Sequence, residues 1–137
     1  MGLDNGIVML IKKNKKLDFL GTPSTYDKDN KHYSRYDVCY WRKCWGIRNA
    51  IISILDPKGF NSNLGKYNID LEDIPAMIRA LQKFLNSKYY ERNANSIWEY
   101  DRYIDTLITN IFVLMKVEDY LKDCNPNNYE LYFYDSY

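Results

Sequence analysis

The sequence predicts an α+β fold. A small antiparallel sheet, made of an N-terminal hairpin plus a C-terminal strand, should pack against about three helices, the longest near the C-terminus. Three observations carry this reading. An apolar, partly β-branched run spans Gly6–Lys12, apolar residues recur at helical spacing in three later stretches, and the segment Tyr129-Glu-Leu-Tyr-Phe-Tyr134 has the aromatic composition of a strand. Strands at both ends with helices between them give helices segregated to one face of a sheet.

The elements follow in order. Gly6-Ile-Val-Met-Leu-Ile-Lys12 reads as a buried strand, Lys13–Lys16 as a polar turn, and Leu17–Leu20 as the hairpin partner. Gly21 to Tyr36 is polar and aperiodic, which predicts a long surface loop. A helix is expected over Asp37–Leu55. Trp41, Trp45, Arg48, Ile52 and Leu55 lie on one stripe, with Cys44, Ile47, Ile51 and Ile54 beside it. Asp56-Pro-Lys-Gly59 ends that helix, because Pro57 cannot continue it and Gly59 frees the turn. A short strand is expected at Tyr67–Ile69. The next helix starts near Asp70–Asp73, where carboxylates cap free amides and Pro75 sits early enough to be tolerated. Its stripe is Ile74, Met77, Ile78, Leu81, Phe84 and Leu85, and it should fray at Asn86–Tyr90. Ser96-Ile-Trp-Glu99 is a capping-box pattern and opens a helix running to about Lys122. The stripe of that helix is Tyr100, Ile104, Leu107, Ile108, Ile111, Leu114 and Met115. Asn125–Asn128 then turns the chain into the last strand.

Composition bounds the function. The 137 residues suit one domain, 1–137, and the 46% hydrophobic content with 14 tyrosines can offset chain entropy without staples. The net charge of +1, from 19 basic and 18 acidic side chains, sets up no field of one sign. That excludes general duplex nucleic-acid binding and acidic DNA mimicry. No apolar run approaches the roughly 20 residues of a membrane span, so no membrane association is expected. Asp4 precedes the first apolar run, without the basic flank of a signal peptide, which predicts a cytoplasmic protein. Cys39, Cys44 and Cys124 should be free thiols. With His32 as the one histidine, in a polar loop, neither a metal nor a cofactor is expected.

No phosphate loop, zinc motif or nucleophile elbow occurs, so the chain is not expected to be an enzyme. Asp101 and Asp105, one helical turn apart with Glu99 nearby, are spaced to hold a divalent cation for phosphodiester hydrolysis. Arg102 and Lys116 on the same helix equally suit a solvated charged face. The densest segment is Tyr40-Trp-Arg-Lys-Cys-Trp-Gly-Ile-Arg-Asn49. Arg42, Lys43 and Arg48 can pair with phosphates, Trp41 or Trp45 can stack on a base, and Asn49 can hydrogen-bond a base edge or ribose. Gly46, inside a helix, invites close approach of another group. The alternative stays open here: both tryptophans in the core and the basic side chains solvated. The tyrosine excess suits a protein interface, although an AT-rich genome would also produce it.

Met1-Gly-Leu-Asp-Asn-Gly-Ile7 and Tyr40-Trp-Arg-Lys43, followed by Trp98-Glu-Tyr-Asp101 and Phe133-Tyr-Asp135, resemble a group of small phage and prophage proteins. The resemblance implies a phage-like origin and an accessory, counter-defence role in the host-cell cytoplasm. It assigns no residue a function. Combined with the Tyr40–Asn49 cluster, it suggests non-catalytic sequestration of a nucleotide-type immune signal in a homo-oligomer. A direct protein-binding inhibitor of a host defence complex is the second expectation, and a metal-dependent phosphoesterase the third.

Overall fold

The computed structural model describes residues 4–12, 17–21, 23, 33–59, 65–87 and 97–136. Four strands, β1 (Asp4–Lys12), β2 (Tyr33–Arg42), β3 (Lys66–Asn68) and β4 (Tyr129–Ser136), form one antiparallel sheet in the order β2-β1-β4-β3. Three helices, α1 (Trp45–Leu55), α2 (Ile74–Asn86) and α3 (Ile97–Leu121), join it in an α+β fold with the longest helix near the C-terminus. Single 3-10 turns occur at Asp18–Leu20, Leu71–Asp73 and Pro126–Asn128.

Side-chain alternation sorts the sheet into two faces. Ile7, Met9 and Ile11 of β1 stand beside Phe133 and Leu131 of β4 and pack with Ile47, Ile51, Met77, Leu81, Leu107 and Leu114 from the helices. The even-numbered positions of β1 and β4 point the other way, and none of them joins that core. β4 thus pairs inside the sheet, between β1 and the three-residue edge strand β3.

Two expectations are corrected. The partner of β1 is not Leu17–Leu20, whose residues Asp18–Leu20 form a 3-10 turn with Leu17 buried beside it, but Tyr33–Arg42. The helix expected from Asp37 therefore starts only at Trp45, and the loop expected to reach Tyr36 gives way to strand at Tyr33. The strand wins because its long-range ladder with β1 runs from Asp4↔Arg42 to Lys12↔Tyr33. A bulge at Val38, between the pairs Ile7↔Cys39 and Val8↔Asp37, lets Tyr36, Val38, Cys39 and Trp41 all be buried.

The other boundaries follow local chemistry. Asp56 N–H donates to the Ile52 carbonyl at 2.7 Å, and Pro57 and Gly59 (φ +71°) follow. Asp70 and Asp73 form a reciprocal capping box, with Asp70 N–H on Asp73 Oδ2 at 2.9 Å, before Pro75 in the first turn of α2. On α3, Leu107, Ile111 and Leu114 are buried as expected and Val117 and Leu121 extend the stripe, but Ile108 and Met115 face outward. The capping serine Ser96, the turn Lys13–Lys16 and His32 lie outside the described residues.

Gly6 shows how closely the sheet is packed. A Cβ there would lie 2.6 Å from Tyr134 Cε1 and 2.7 Å from the Cys39 carbonyl oxygen, so the Tyr134 ring leans across the glycine. Gly6→Ala should overpack this spot against backbone and lower stability by about 1–3 kcal/mol. Urea denaturation should show a lower midpoint at unchanged slope; a midpoint equal to wild type would contradict this packing.

Candidate functional site

The Tyr40–Asn49 segment is a strand-to-helix corner rather than one helix. Tyr40, Trp41 and Arg42 end β2, Lys43 and Cys44 make the turn, and α1 begins at Trp45. Lys43 adopts φ +58°, a left-handed conformation that strains a side-chain-bearing residue by about 1 kcal/mol. Cys44 caps α1 without a side-chain hydrogen bond to its amides; its thiol donates instead to the Arg42 carbonyl at 3.4 Å. Arg42, Lys43, Trp45 and Asn49 are exposed around this corner.

Trp41 and Arg48 are placed otherwise. Trp41 is buried on the core face, its ring centroid 6.5 Å from that of Phe133. The expectation that it shares a helical stripe with Trp45 is thereby corrected. Arg48 points back at the sheet. Its Nε donates to both Asp135 oxygens at 2.9 Å, Nη2 to Asp135 Oδ2 at 2.7 Å, and Nη1 to Asn49 Oδ1 at 2.9 Å. Its guanidinium carbon lies 5.4 Å from the centroid of the Trp45 ring.

Asp135 is the hub of the corner, with its side chain only 4% exposed. Buried Asn5 donates Nδ2 to Asp135 Oδ1 at 2.6 Å, and Asp135 N–H donates to the Gly65 carbonyl at 2.7 Å. A sequence signal for it exists. Asp135 continues the inward register Leu131, Phe133, Asp135, and Asn5 continues Ile7, Met9, Ile11. A carboxylate in a core register needs a cation, and Arg48 is that cation.

The second feature is the outward face of the sheet. Register places Tyr40, Tyr132, Tyr134 and Tyr33 there, with Arg35, Asp37, Arg42, Asp4, Lys66 and Glu130, over a floor of Val8 and Leu10. No described helix packs on it. Tyr40 is 52% exposed and donates its hydroxyl to Asp4 Oδ1 at 2.7 Å. Lys66 pairs with Glu130 at 3.0 Å, with its ammonium 4.5 Å from the Tyr132 ring centroid, and Arg35 lies 3.8 Å from Asp37. Two tyrosines of this face resist ionisation. The hydrogen bond to Asp4, then burial, raises Tyr40. Burial, then the charge of Asp37, pushes Tyr134 up to about 12.

Of the carboxylates expected to hold a metal, only Asp105 has its side chain among the described residues. Asp105 is exposed on α3, and the side chains of Glu99 and Asp101 lie outside the described residues. Among the described residues no group of three His, Cys, Asp or Glu side chains comes together. All three cysteines are free, and burial raises the Cys39 thiol well above its usual range. No described helix is long and apolar enough to cross a membrane.

Two outcomes test this geometry. Arg48→Ala leaves Asp135 buried without its cation and should cost about 3 kcal/mol, whereas Arg42→Ala, at an exposed position, should stay within about 0.5 kcal/mol. Equal melting temperatures for the two variants would refute the assignment. Tyr134 ionises in the unfolded chain near its ordinary value of 10 but in the folded chain near 12. Its contribution is therefore intact below pH 10 and is lost as pH rises through that window. Tyr134→Phe should lose less melting temperature than wild type across it, and the Tyr134 ¹³Cζ resonance should titrate late.

No family model matches the chain, no curated protein is significantly similar to it, and no solved structure matches its fold.

Proposed function

We propose that this chain is a non-catalytic, protein-binding accessory module of phage type, recognising a host defence protein through the outward face of its sheet. The observation that carries this reading is the row of tyrosines on a face against which no described helix packs. Tyrosine supplies large contact area at low entropic cost and keeps a hydroxyl for specificity, which is why it dominates recognition surfaces. The charges on this face favour a protein over a nucleic acid. Arg35 sits by Asp37, Lys66 by Glu130, and Tyr40 holds Asp4, so both signs are interleaved. A nucleic-acid surface needs an uncompensated positive track. The resemblance to small phage proteins makes a host protein the fitting partner.

Sequestration of a nucleotide-type signal is the second reading. Exposed Arg42, Lys43, Trp45 and Asn49 around the first turn of α1 favour it. Trp41 in the core and Arg48 bound to Asp135 are not available to such a ligand in this arrangement.

One comparison separates the readings. Wild type and the Asp37→Lys/Tyr40→Ala variant are immobilised against host lysate, and a captured protein is purified and titrated by calorimetry. The variant should bind more than about 30-fold more weakly, as expected when an interface anchor contributing about 2 kcal/mol is lost, while keeping its melting temperature. Undiminished binding by the variant would remove the sheet face from recognition. Binding of cyclic dinucleotides by wild type, abolished in Arg42→Ala, would move the function to the α1 corner.

A further inference from the structure

From the outward stripe of α3 we infer that the protein self-associates as an antiparallel, two-fold dimer, helix against helix. α3 is amphipathic in an unusual way. One side buries Leu107, Ile111, Leu114 and Val117 in the core. The opposite side exposes Ile108 (38%), Phe112 (61%) and Met115 (49%), at spacings of four and three residues. Apart from Tyr40 and Trp45, these are the exposed large hydrophobics among the described residues. An apolar stripe of that period on a solvent-facing helix is the pattern of a helix–helix seam.

Charges flanking this stripe choose the occupant. Exposed residues recur at Arg102, Asp105, Thr109, Phe112, Lys116 and Asp119, a row at alternating steps of three and four that shares Phe112 with the apolar stripe and carries charges toward both ends. The N-terminal half thus carries Arg102 then Asp105, and the C-terminal half Lys116 then Asp119. A second copy laid antiparallel, with the two-fold axis between residues 110 and 111, sets Arg102 opposite the partner's Asp119 and Asp105 opposite the partner's Lys116. Symmetry repeats both pairs. The same register sets Phe112 opposite the partner's Thr109 and next to the partner's Ile108. A parallel arrangement would set each charge against its own kind. The charged row is therefore complementary to itself when antiparallel, and the surface that fits it is a second copy of this chain.

Sedimentation equilibrium on the full chain tests this, with circular dichroism to check that each variant is folded. Wild type should be dimeric at micromolar concentration and Phe112→Asp monomeric. Asp105→Lys, which faces the partner's Lys116, should weaken the dimer at least about tenfold. The charge-swapped Asp105→Lys/Lys116→Asp double variant should recover most of that loss. A wild-type monomer at about 100 μM would overturn the inference, and so would a dimer indifferent to Phe112→Asp. A swap that fails to rescue would overturn the antiparallel register. None of these results depends on the sheet face binding a partner.

Discussion

The buried pair between Asp135 and Arg48 is the interaction on which the arrangement of this fold depends most. A carboxylate facing the core would be costly to desolvate alone. Arg48 reaches it from α1, Asn5 donates to it from β1, and its own amide is held by Gly65 at the start of β3. Gly65 has φ +85° and passes so close to the Asp135 backbone that a side chain there would collide with it. One residue near the end of β4 thus fixes the first turn of α1, the register of β1 and the approach of the edge strand. Each partner is specific to charge or geometry, so the arrangement is directional where the surrounding apolar packing is not. That suits a small domain in which α1 must leave β2 through only Lys43 and Cys44.

This constraint changes the meaning of the basic, aromatic corner. Read as a list of side chains, Arg42, Lys43, Trp45, Arg48 and Asn49 form a phosphate and base clamp. Read with their partners, they divide into an inner group that holds the fold and an outer group that faces solvent. Arg48 belongs to the first, stacked under Trp45 and locked to Asp135. Arg42 and Lys43 belong to the second. The strained φ of Lys43 is explained by the same geometry, since a tight left-handed step aims α1 back across the sheet end toward Asp135.

What was legible in the sequence was whatever depends on local period and local caps. β1, α2 and β4 follow from runs and stripes that no distant residue had to complete, and the Asp70–Asp73 cap was readable from its spacing. β2 was not legible because its bulge breaks the alternation. Tyr36 faces the core on one side of Val38, Cys39 and Trp41 on the other, so no unbroken period of two survives. Trp41, Trp45 and Arg48 meanwhile imitate a helical stripe across the strand–helix junction. On α3 the buried and exposed stripes are both apolar in places, so composition alone assigned Ile108 and Met115 inward. The Arg48–Asp135 pair spans 87 positions and leaves no local trace. Only the alternation that puts Asp135 in line with Leu131 and Phe133 pointed to a buried acid in need of a partner.

The layer order has a consequence for how the surfaces work together. The helices cover one face of the sheet, and the exposed stripe of α3 lies on the far side of that helix from Leu107 and Leu114. The tyrosine face lies on the side of the sheet away from that core. A pairing through α3 therefore covers none of the tyrosine face. In the inferred antiparallel dimer, whose two-fold axis crosses that seam, the two copies would present two identical sheet faces outside the interface. Two such faces in one assembly would convert a second binding event into an intramolecular one, raising the apparent affinity for a target that is itself oligomeric without any new contact. If the sheet face recognises a protein as proposed, each single contact in such a dimer need not be tight.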